Sequence, residues 1–381
     1  MTFFKSPRYA TVRFLLLAFF LWRGALFAVN FASLYAAPQR NYLPAKDYTA
    51  FPKSRFLDSF VMWDSGWYQK IAERGYYLEG AQSDVAFFPA YPYLARWLGK
   101  IVGSHWTAGL LISNFALLGA LFYIYGIARR YLDEDRARQA AVFVLVFPTS
   151  FFFSTYYAES LALLATAAAL YHYEHDQLLA AGAFGGLAAL TRSAGVLLFP
   201  ALLAGALHRR GWSLRRLTPR MFYLLLIPAA FAAFMWILAV QVGDPLAFAK
   251  AQGGWHRAAA FPLFTIFKDA KSIDWGFPVT DYRQVFLVID LLATLGIFWA
   301  AAASLRRLDL AHSVYAVLAV VFPLASGRVL SMLRFASCVV PIFVLLAMAA
   351  KRPWVDRFMN YAMGLVSALT AFFFSHWHWA G

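Results

Sequence analysis

The chain has 381 residues, 62% of them hydrophobic and only 14% charged, with a mean hydropathy of +0.58. Soluble domains run nearer about 25% charged, so this composition excludes a soluble globular fold. The net charge of +15 does not call for nucleic acid, because membrane proteins collect their lysine and arginine excess in cytoplasmic loops. A single cysteine, Cys338, leaves no intrachain disulfide to form.

Apolar runs near 20 residues long recur from end to end, which predicts an all-α polytopic membrane protein with residues 1–381 as one domain. The first run, Phe14–Ala36, is too long for a cleaved signal and holds Arg23 and Asn30, so it reads as an uncleaved span. A polar stretch follows as an external loop, 37–105, ending in a short amphipathic helix over Pro89–Val102 with Arg96 and Lys100 turned to lipid headgroups. Further spans are expected at Trp106–Ala128, Ala140–Phe153 and Ser160–His172, the last two joined by the tight turn STYYAES.

The run Leu178–Leu207 is interrupted by Thr191-Arg192-Ser193. Neither half comfortably covers a hydrocarbon core about 30 Å thick, so the halves are either two short spans or a re-entrant pair. Either way the chain returns to the side it left. Spans then follow at Met221–Val242, Val285–Ser304, His312–Ala325, Phe335–Ala349 and Phe358–Ser375, with a second external loop at 243–284. With the amino terminus inside, about eleven spans put every short basic loop on the cytoplasmic side. Motif-bearing segments then share the external face.

The longest polar segment is Met62–Pro92, MWDSGWYQKIAERGYYLEGAQSDVAFFPAYP. It sets Asp64, Glu73, Glu79 and Asp84 among Trp63, Trp67, Tyr68 and further aromatics. Aromatic faces beside carboxylates suit a sugar, whose C–H faces stack on rings while its hydroxyls bond the acids. A headgroup belt of Trp and Tyr is the competing reading.

Charges inside apolar runs cost about 2.5–3.5 kcal/mol on insertion scales and are functional candidates by default. Here they are Arg23, Glu159, Arg192, Asp290, Arg328 and Arg334. Arg192 sits at the helix break, either tying up freed carbonyls or clamping a phosphate with its guanidinium fork. Arg23 reads as structural and Asp290 as a cap or pair. Asp133-Glu134-Asp135 has the form of a metal-binding triplet, but a helix cap explains it better. His172, His175, His376 and His378 do not form a metal set.

The motifs WDSGWY…IAERGY…AFFPAYP, FPTSFFFSTYYAESL, ALTRSAGVLL, GDPLAFAKAQGGWHR and SGRVLSMLRFASCVVPIF follow one another in this order. In this the chain resembles the PIG-V (GPI mannosyltransferase 2) family and its bacterial relatives, and is similar to the wider GT-C superfamily of membrane glycosyltransferases. The resemblance implies a GT-C-like bundle, a polyprenyl-phosphate sugar as donor and an active site on the non-cytoplasmic face. It also implies an acidic base in the first external loop, which by position is Asp64. The bacterial relatives imply residence in the cytoplasmic membrane, with the site on the periplasmic side.

Displacement at an anomeric carbon needs a base for the acceptor hydroxyl and cations for the departing phosphate. The expected assignment is Asp64 as base, with Arg192 and Arg334 on the donor phosphate and His256 or Arg257 as further contacts. Trp63, Tyr68, Glu79, Asp84, Glu159, Gln252 and Trp255 are the expected sugar and acceptor contacts, with Glu79, Asp84 and Glu159 able instead to orient Asp64. The expected reaction is inverting transfer, of mannose by the resemblance, to a glycan or glycolipid acceptor. No cofactor is demanded, a divalent metal being admissible but not implied, and membrane lipids are partners while nucleic acid is not. The competing class is a lipid or sugar transporter, which tends to show inverted repeats and midplane polar sites. Here the acids and aromatics gather in external loops instead.

Overall fold

The computed structural model describes residues 7–37, 49–216, 218–274, 276 and 282–379. The external-loop residues 38–48, 275 and 277–281 therefore lie outside the described residues. Among the described residues the regular structure is helical. In chain order the helices are α1 (Pro7–Ala36), α2 (Arg55–Asp58), α3 (Ser65–Arg74), α4 (Ala90–Val102), α5 (His105–Ala128), α6 (Glu134–Val146), α7 (Glu159–Glu174), α8 (Leu178–Thr191) and α9 (Leu198–Arg209). They continue with α10 (Leu226–Val242), α11 (Ala247–Lys250), α12 (Pro262–Lys271), α13 (Tyr282–Arg307), α14 (Leu310–Leu324), α15 (Met332–Ala336), α16 (Val340–Ala349) and α17 (Pro353–Ser375).

Five segments are long and apolar enough to cross a membrane: Tyr9–Ala36, His105–Ala128, Pro219–Val242, Arg283–Arg307 and Pro353–Ser375. With the shorter α7, α8, α9, α14 and α16 they fall on ten of the eleven expected apolar runs, whereas in the run Ala140–Phe153 helix α6 ends at Val146 and a 3-10 turn follows at Ser150–Ser154. The short helices are interior ones. In α7, Leu163, Ala165, Ala167, Ala168, Ala169 and Leu170 are all fully buried. A helix sheathed in protein need not match the bilayer thickness, since neighbours rather than lipid meet its ends.

Local chemistry sets the helix starts. Asp133 caps α6 by accepting from the Arg136 N–H at 3.0 Å, and Asp135 pairs with Arg138, so the acidic triplet is a helix cap. Asp309 caps α14 in the same way through the Ala311 N–H at 3.0 Å. The first helix begins at Pro7, ahead of the apolar run, because Thr11 is held by Glu134 (3.0 Å) and Arg138 (2.9 Å). The segment 243–284 also carries short helices, of which α12 turns Leu263, Phe264 and Phe267 outward.

The bundle has two chemically different ends. At one end, Arg209 and Arg130 reach Asp309, Arg130 and His312 reach Glu174, and Arg138 meets Glu134. Gln139 bonds Asn360 there at 3.1 Å, which brings the loop before α17 to this end as well. The basic loops following α5, α9 and α13 all leave from it. At the other end lie the Trp63-Asp64 turn, the start of α7, the α8–α9 break, the Ser326–Arg334 segment and Trp377–Trp379.

The break itself decides how the chain reverses. Helix α8 starts beside the end of α7, and α9 ends with Arg209 stacked on Tyr173 at 4.4 Å. The run Leu178–Leu207 thus begins and finishes at the same end of the bundle, with Arg192 at its far point. Arg192 is extended (φ −152°, ψ 150°) and a 3-10 turn, Ser193–Leu197, folds back on α8. A Cβ on Gly195 would lie 2.2 Å from the Ala188 carbonyl, so only glycine permits that approach.

This arrangement predicts sidedness. Ala81, Gly253 and Arg215 are all exposed, and the sole native thiol, Cys338, is buried. Cysteines at 81 and 253 are expected to react with an impermeant maleimide in intact cells, while one at 215 reacts only after lysis. Labelling of 215 together with 253 before lysis would refute the eleven-run topology.

Candidate active site

The WDS turn is built by the STYYAES turn. Trp63 takes a left-handed backbone (φ 57°) and its ring packs against Trp377 and Trp379 at 5.7 and 5.6 Å. The Asp64 N–H donates to the Tyr157 hydroxyl at 3.0 Å, and that hydroxyl donates to the Met62 carbonyl at 3.1 Å. Ser65 Oγ donates to the Tyr156 carbonyl at 3.3 Å. Asp64 precedes α3, yet its side chain makes no capping hydrogen bond. Its Oδ2 instead accepts from Arg334 Nη1 at 2.9 Å.

Behind that pair lies Glu159, fully buried at the start of α7. Its Oε1 accepts from Arg334 Nε at 2.7 Å and from Arg192 Nη1. The chain Arg192–Glu159–Arg334–Asp64 thus joins four segments that are far apart in sequence. The Arg334 guanidinium lies over the rings of Phe152, Tyr157 and Trp379 at 5.2–5.3 Å. Aromatic faces suit guanidinium because it is weakly hydrated and flat. Arg257 and Arg192 both lie over Phe335 at 5.2 Å.

These groups border a cavity of about 860 Å³. Asp64, Arg192, Arg257, Arg328 and Arg334 line one part of it. A second part is aromatic: Trp67 stacks on Phe87 at 6.2 Å, and Trp255 meets both edge-on at 6.0 and 5.7 Å. A third part is apolar, with Ala194, Ala319, Phe322, Pro323 and Val339. One cavity therefore offers a carboxylate, a group of arginines, flat aromatic faces and an apolar wall.

The fold is of the GT-C type. The structure is similar to that of ArnT from Cupriavidus metallidurans bound to undecaprenyl phosphate, with a TM-score of 0.55 and 15% identity over 92% of this chain and 63% of that one. The apo oligosaccharyltransferase of Archaeoglobus fulgidus matches with a TM-score of 0.49 and 13% identity, over 98% of this chain and 57% of that one. The chain spans less than two thirds of the length of these solved structures. A family model described as dolichyl-phosphate-mannose-protein mannosyltransferase matches residues 84–238, a segment that holds Glu159 and Arg192 but ends before Arg257. No curated protein matches the chain.

Within this GT-C-type bundle, Asp64, Arg192, Arg334, Arg257, Trp63, Tyr68, Gln252 and Trp255 converge on the cavity as expected. Four expected contacts lie elsewhere. Glu79 sits half-exposed on the surface, taken by Arg74 at 2.8 Å. Asp84 is buried and accepts from the Tyr77 N–H at 3.1 Å, holding the 75–84 loop closed. His256 is exposed in a left-handed turn (φ 56°) whose neighbour Arg257 turns inward. Glu159 lies behind the arginines and is not among the residues lining the cavity.

The other buried charges have structural partners. Arg23 donates to the Ser150 carbonyl at 3.0 Å and Ser154 Oγ at 2.9 Å. Asp290 accepts from the Ser331 and Leu333 N–H groups at 3.1 and 3.4 Å, holding the start of α15. Arg192 pairs with an acid rather than with freed carbonyls. Trp67, Arg328, Trp377 and Trp379 line the cavity without having been assigned to a site from the sequence. Arg328 was visible only as one more charge at the edge of an apolar run.

Burial raises the Asp64 carboxyl above its ordinary value, against the opposing pull of Arg334. Arg257, half-buried and facing Arg334, Arg328 and Arg192, is brought down to about 10, chiefly by desolvation.

Glu159→Gln leaves two buried arginines sharing a neutral oxygen. Removing one partner of a buried pair costs about 3–5 kcal/mol, so the thermal midpoint in detergent is expected to fall steeply. Glu79→Gln, at an exposed pair, is expected to leave the midpoint where it was. Equal midpoints for both variants would remove Glu159 from the framework of the site.

Proposed function

We propose that this protein is an inverting glycosyltransferase that moves a sugar from a polyprenyl-phosphate donor to an acceptor hydroxyl at the non-cytoplasmic face of the membrane. The observation that carries the reading is the single cavity on which Asp64 and the arginines converge, between an aromatic wall and an apolar one. An amphiphilic donor needs such a mixture. Its phosphate meets guanidinium groups, its prenyl chain lies on Ala194, Ala319, Phe322 and Val339, and a sugar stacks on Trp67 and Trp255. The fold likeness to ArnT and the mannosyltransferase family model support the same class.

The chemistry follows from the geometry. Asp64 Oδ2 is held by Arg334, and no described residue donates to Oδ1. The acceptor oxygen attacks the anomeric carbon as Oδ1 takes its proton. The bond from that carbon to the phosphate oxygen breaks, and its electron pair leaves with polyprenyl phosphate. One displacement inverts the anomeric centre. The arginines supply positive charge where negative charge grows, so the proposed reaction asks for no cofactor.

Mannose is the sugar we propose, on the family model and on the motif order shared with PIG-V relatives. The acceptor we propose is a lipid-linked or glycan hydroxyl. The arginine-rich end of the bundle supports a cytoplasmic placement for that end. The cavity would then face the periplasm of a bacterial inner membrane.

Asp64→Asn tests the base. Asparagine keeps a hydrogen-bond acceptor for Arg334 but cannot take a proton. Turnover of labelled polyprenyl-phosphate mannose by purified protein is expected to fall by about 10²–10⁴, with donor binding retained. Normal turnover in that variant would exclude Asp64 as the base.

The base must also be ionised to work, and burial raises its pKa. Turnover of the wild type is therefore expected to fall on acidification at a pH above that of an unperturbed aspartate, and to be steady on the alkaline side of that step. A pH–rate profile flat through this region would separate Asp64 from the rate-limiting proton transfer.

A further inference from the structure

The four arginines of the cavity are not equivalent. Two guanidinium groups, Arg192 and Arg334, face two carboxylates, Glu159 and Asp64, in one continuous chain of ion pairs. Their charge is already balanced. Among the described residues Arg257 hydrogen-bonds only neutral partners, Ser326 Oγ at 2.6 Å and the Leu330 carbonyl at 3.1 Å. Arg328 makes no hydrogen bond or ion pair with any described residue, although it lines the same cavity. The nearby acid, Asp290, is occupied by the backbone of Ser331 and Leu333.

The segment that carries Arg328 is strapped down at every step. Ala258 and Ala260 donate to the Ser326 and Ala325 carbonyls at 3.1 and 3.0 Å. Lys268 Nζ donates to the Gly327 carbonyl at 2.5 Å, and Asp269 Oδ2 accepts from the Val329 N–H at 2.8 Å. Gly327 is left-handed (φ +79°), and a Cβ there would sit 2.7 Å from the Ala258 carbonyl. The fold thus fixes the backbone on both sides of a cation that it leaves without a counter-charge. Holding two such cations at one cavity is costly unless an anion joins them.

We propose that Arg257 and Arg328 form the site for the donor's phosphate, and that Arg192 and Arg334 are positioning residues that hold Asp64 through Glu159. This rests on the transferase reading above, whose chemistry it sharpens. A sugar-bearing polyprenyl phosphate is a diester with one negative charge. When the bond to the sugar breaks, the phosphate becomes a monoester carrying about −1.5 to −2 near neutral pH. Two cations without a counter-charge among the described residues match the charge of that leaving group better than that of the donor. The pair therefore favours the state in which the electron pair has reached the phosphate, which is where a cation accelerates the reaction.

The test is binding of farnesyl phosphate and of farnesol to the purified full chain in detergent, with thermal midpoints measured alongside. The wild type is expected to bind the phosphate far better than the alcohol. Arg328→Gln, whose side chain holds nothing else in place, is expected to weaken farnesyl phosphate about 10–100-fold, leaving farnesol and the midpoint unchanged, and Arg328→Lys to recover part of the loss. Arg257→Lys is expected to weaken the phosphate less. Arg192→Gln is expected to lower the midpoint and the turnover number, with farnesyl phosphate affinity held within a few-fold.

The opposite pattern would overturn the assignment: farnesyl phosphate bound normally by Arg328→Gln but lost in Arg192→Gln at an unchanged midpoint. Displacement of farnesyl phosphate by an equal concentration of inorganic phosphate would also overturn it, by making the site one for free phosphate. Should the phosphate arm behave as expected while no labelled sugar is ever transferred, the anion site would stand and the transferase reading would fall.

Discussion

Glu159 is the constraint on which the rest of the site depends. It is a fully buried carboxylate that receives two guanidinium groups on one oxygen. Taking such charges out of water costs several kcal/mol per ion, recovered only when geometry is good and every partner is present. That requirement ties the α8–α9 break, which carries Arg192, to α15, which carries Arg334. Arg334 then has a free Nη1 only in the direction of Asp64. Asp64 is thus placed by a residue that does not line the cavity.

The aromatic shell makes this cluster stronger than its charges alone would. Phe152, Tyr157 and Trp379 exclude water from Arg334, and Tyr157 also fixes the backbone on both sides of Trp63. Low local dielectric strengthens a satisfied pair and penalises an unsatisfied one. The same shell therefore sharpens the contrast between the balanced arginines and the unbalanced ones. Arg257 and Arg328 stand on a strapped loop with neutral partners or none, and this difference organises the proposed division of labour between holding the base and receiving the phosphate.

The two ends of the bundle express a second physical division. Clusters built from Arg130, Arg209, Glu174, Asp309 and His312 tie helix ends together away from the cavity. Shared acids there let several arginines sit at closely packed helix ends without mutual repulsion prevailing. The cavity end is instead closed by aromatic rings and by a chain terminus that reaches back to α1, with His376 near the Ala37 carbonyl at 3.3 Å. The candidate site and the basic loops are thereby kept at opposite ends of the same helices.

Much of this was legible in the residues themselves. Apolar periodicity located the eleven runs, because hydrophobic length is a local property, and the polar break at Arg192 marked a reversal that charge parity already required. Arg192, Arg328 and Arg334 stood out because a charge in an apolar run is costly wherever it falls, and Asp64 because it stands among aromatic rings in the longest polar segment. Partner choice was not legible, since it depends on which segments meet. Glu79 and Asp84 share a loop with Asp64 and look equivalent to it, yet Arg74 claims one and the Tyr77 N–H the other. Glu159 looked like a ligand contact and turned out to lie behind the arginines. Arg328 and Arg334 are six residues apart in one motif, and only packing gave the second two acids and the first none. Sequence alone determined the class of protein and the pool of chemical groups. Tertiary structure decided which charges cancel and which remain, because ion pairing acts over a few ångströms between segments that the chain order keeps far apart.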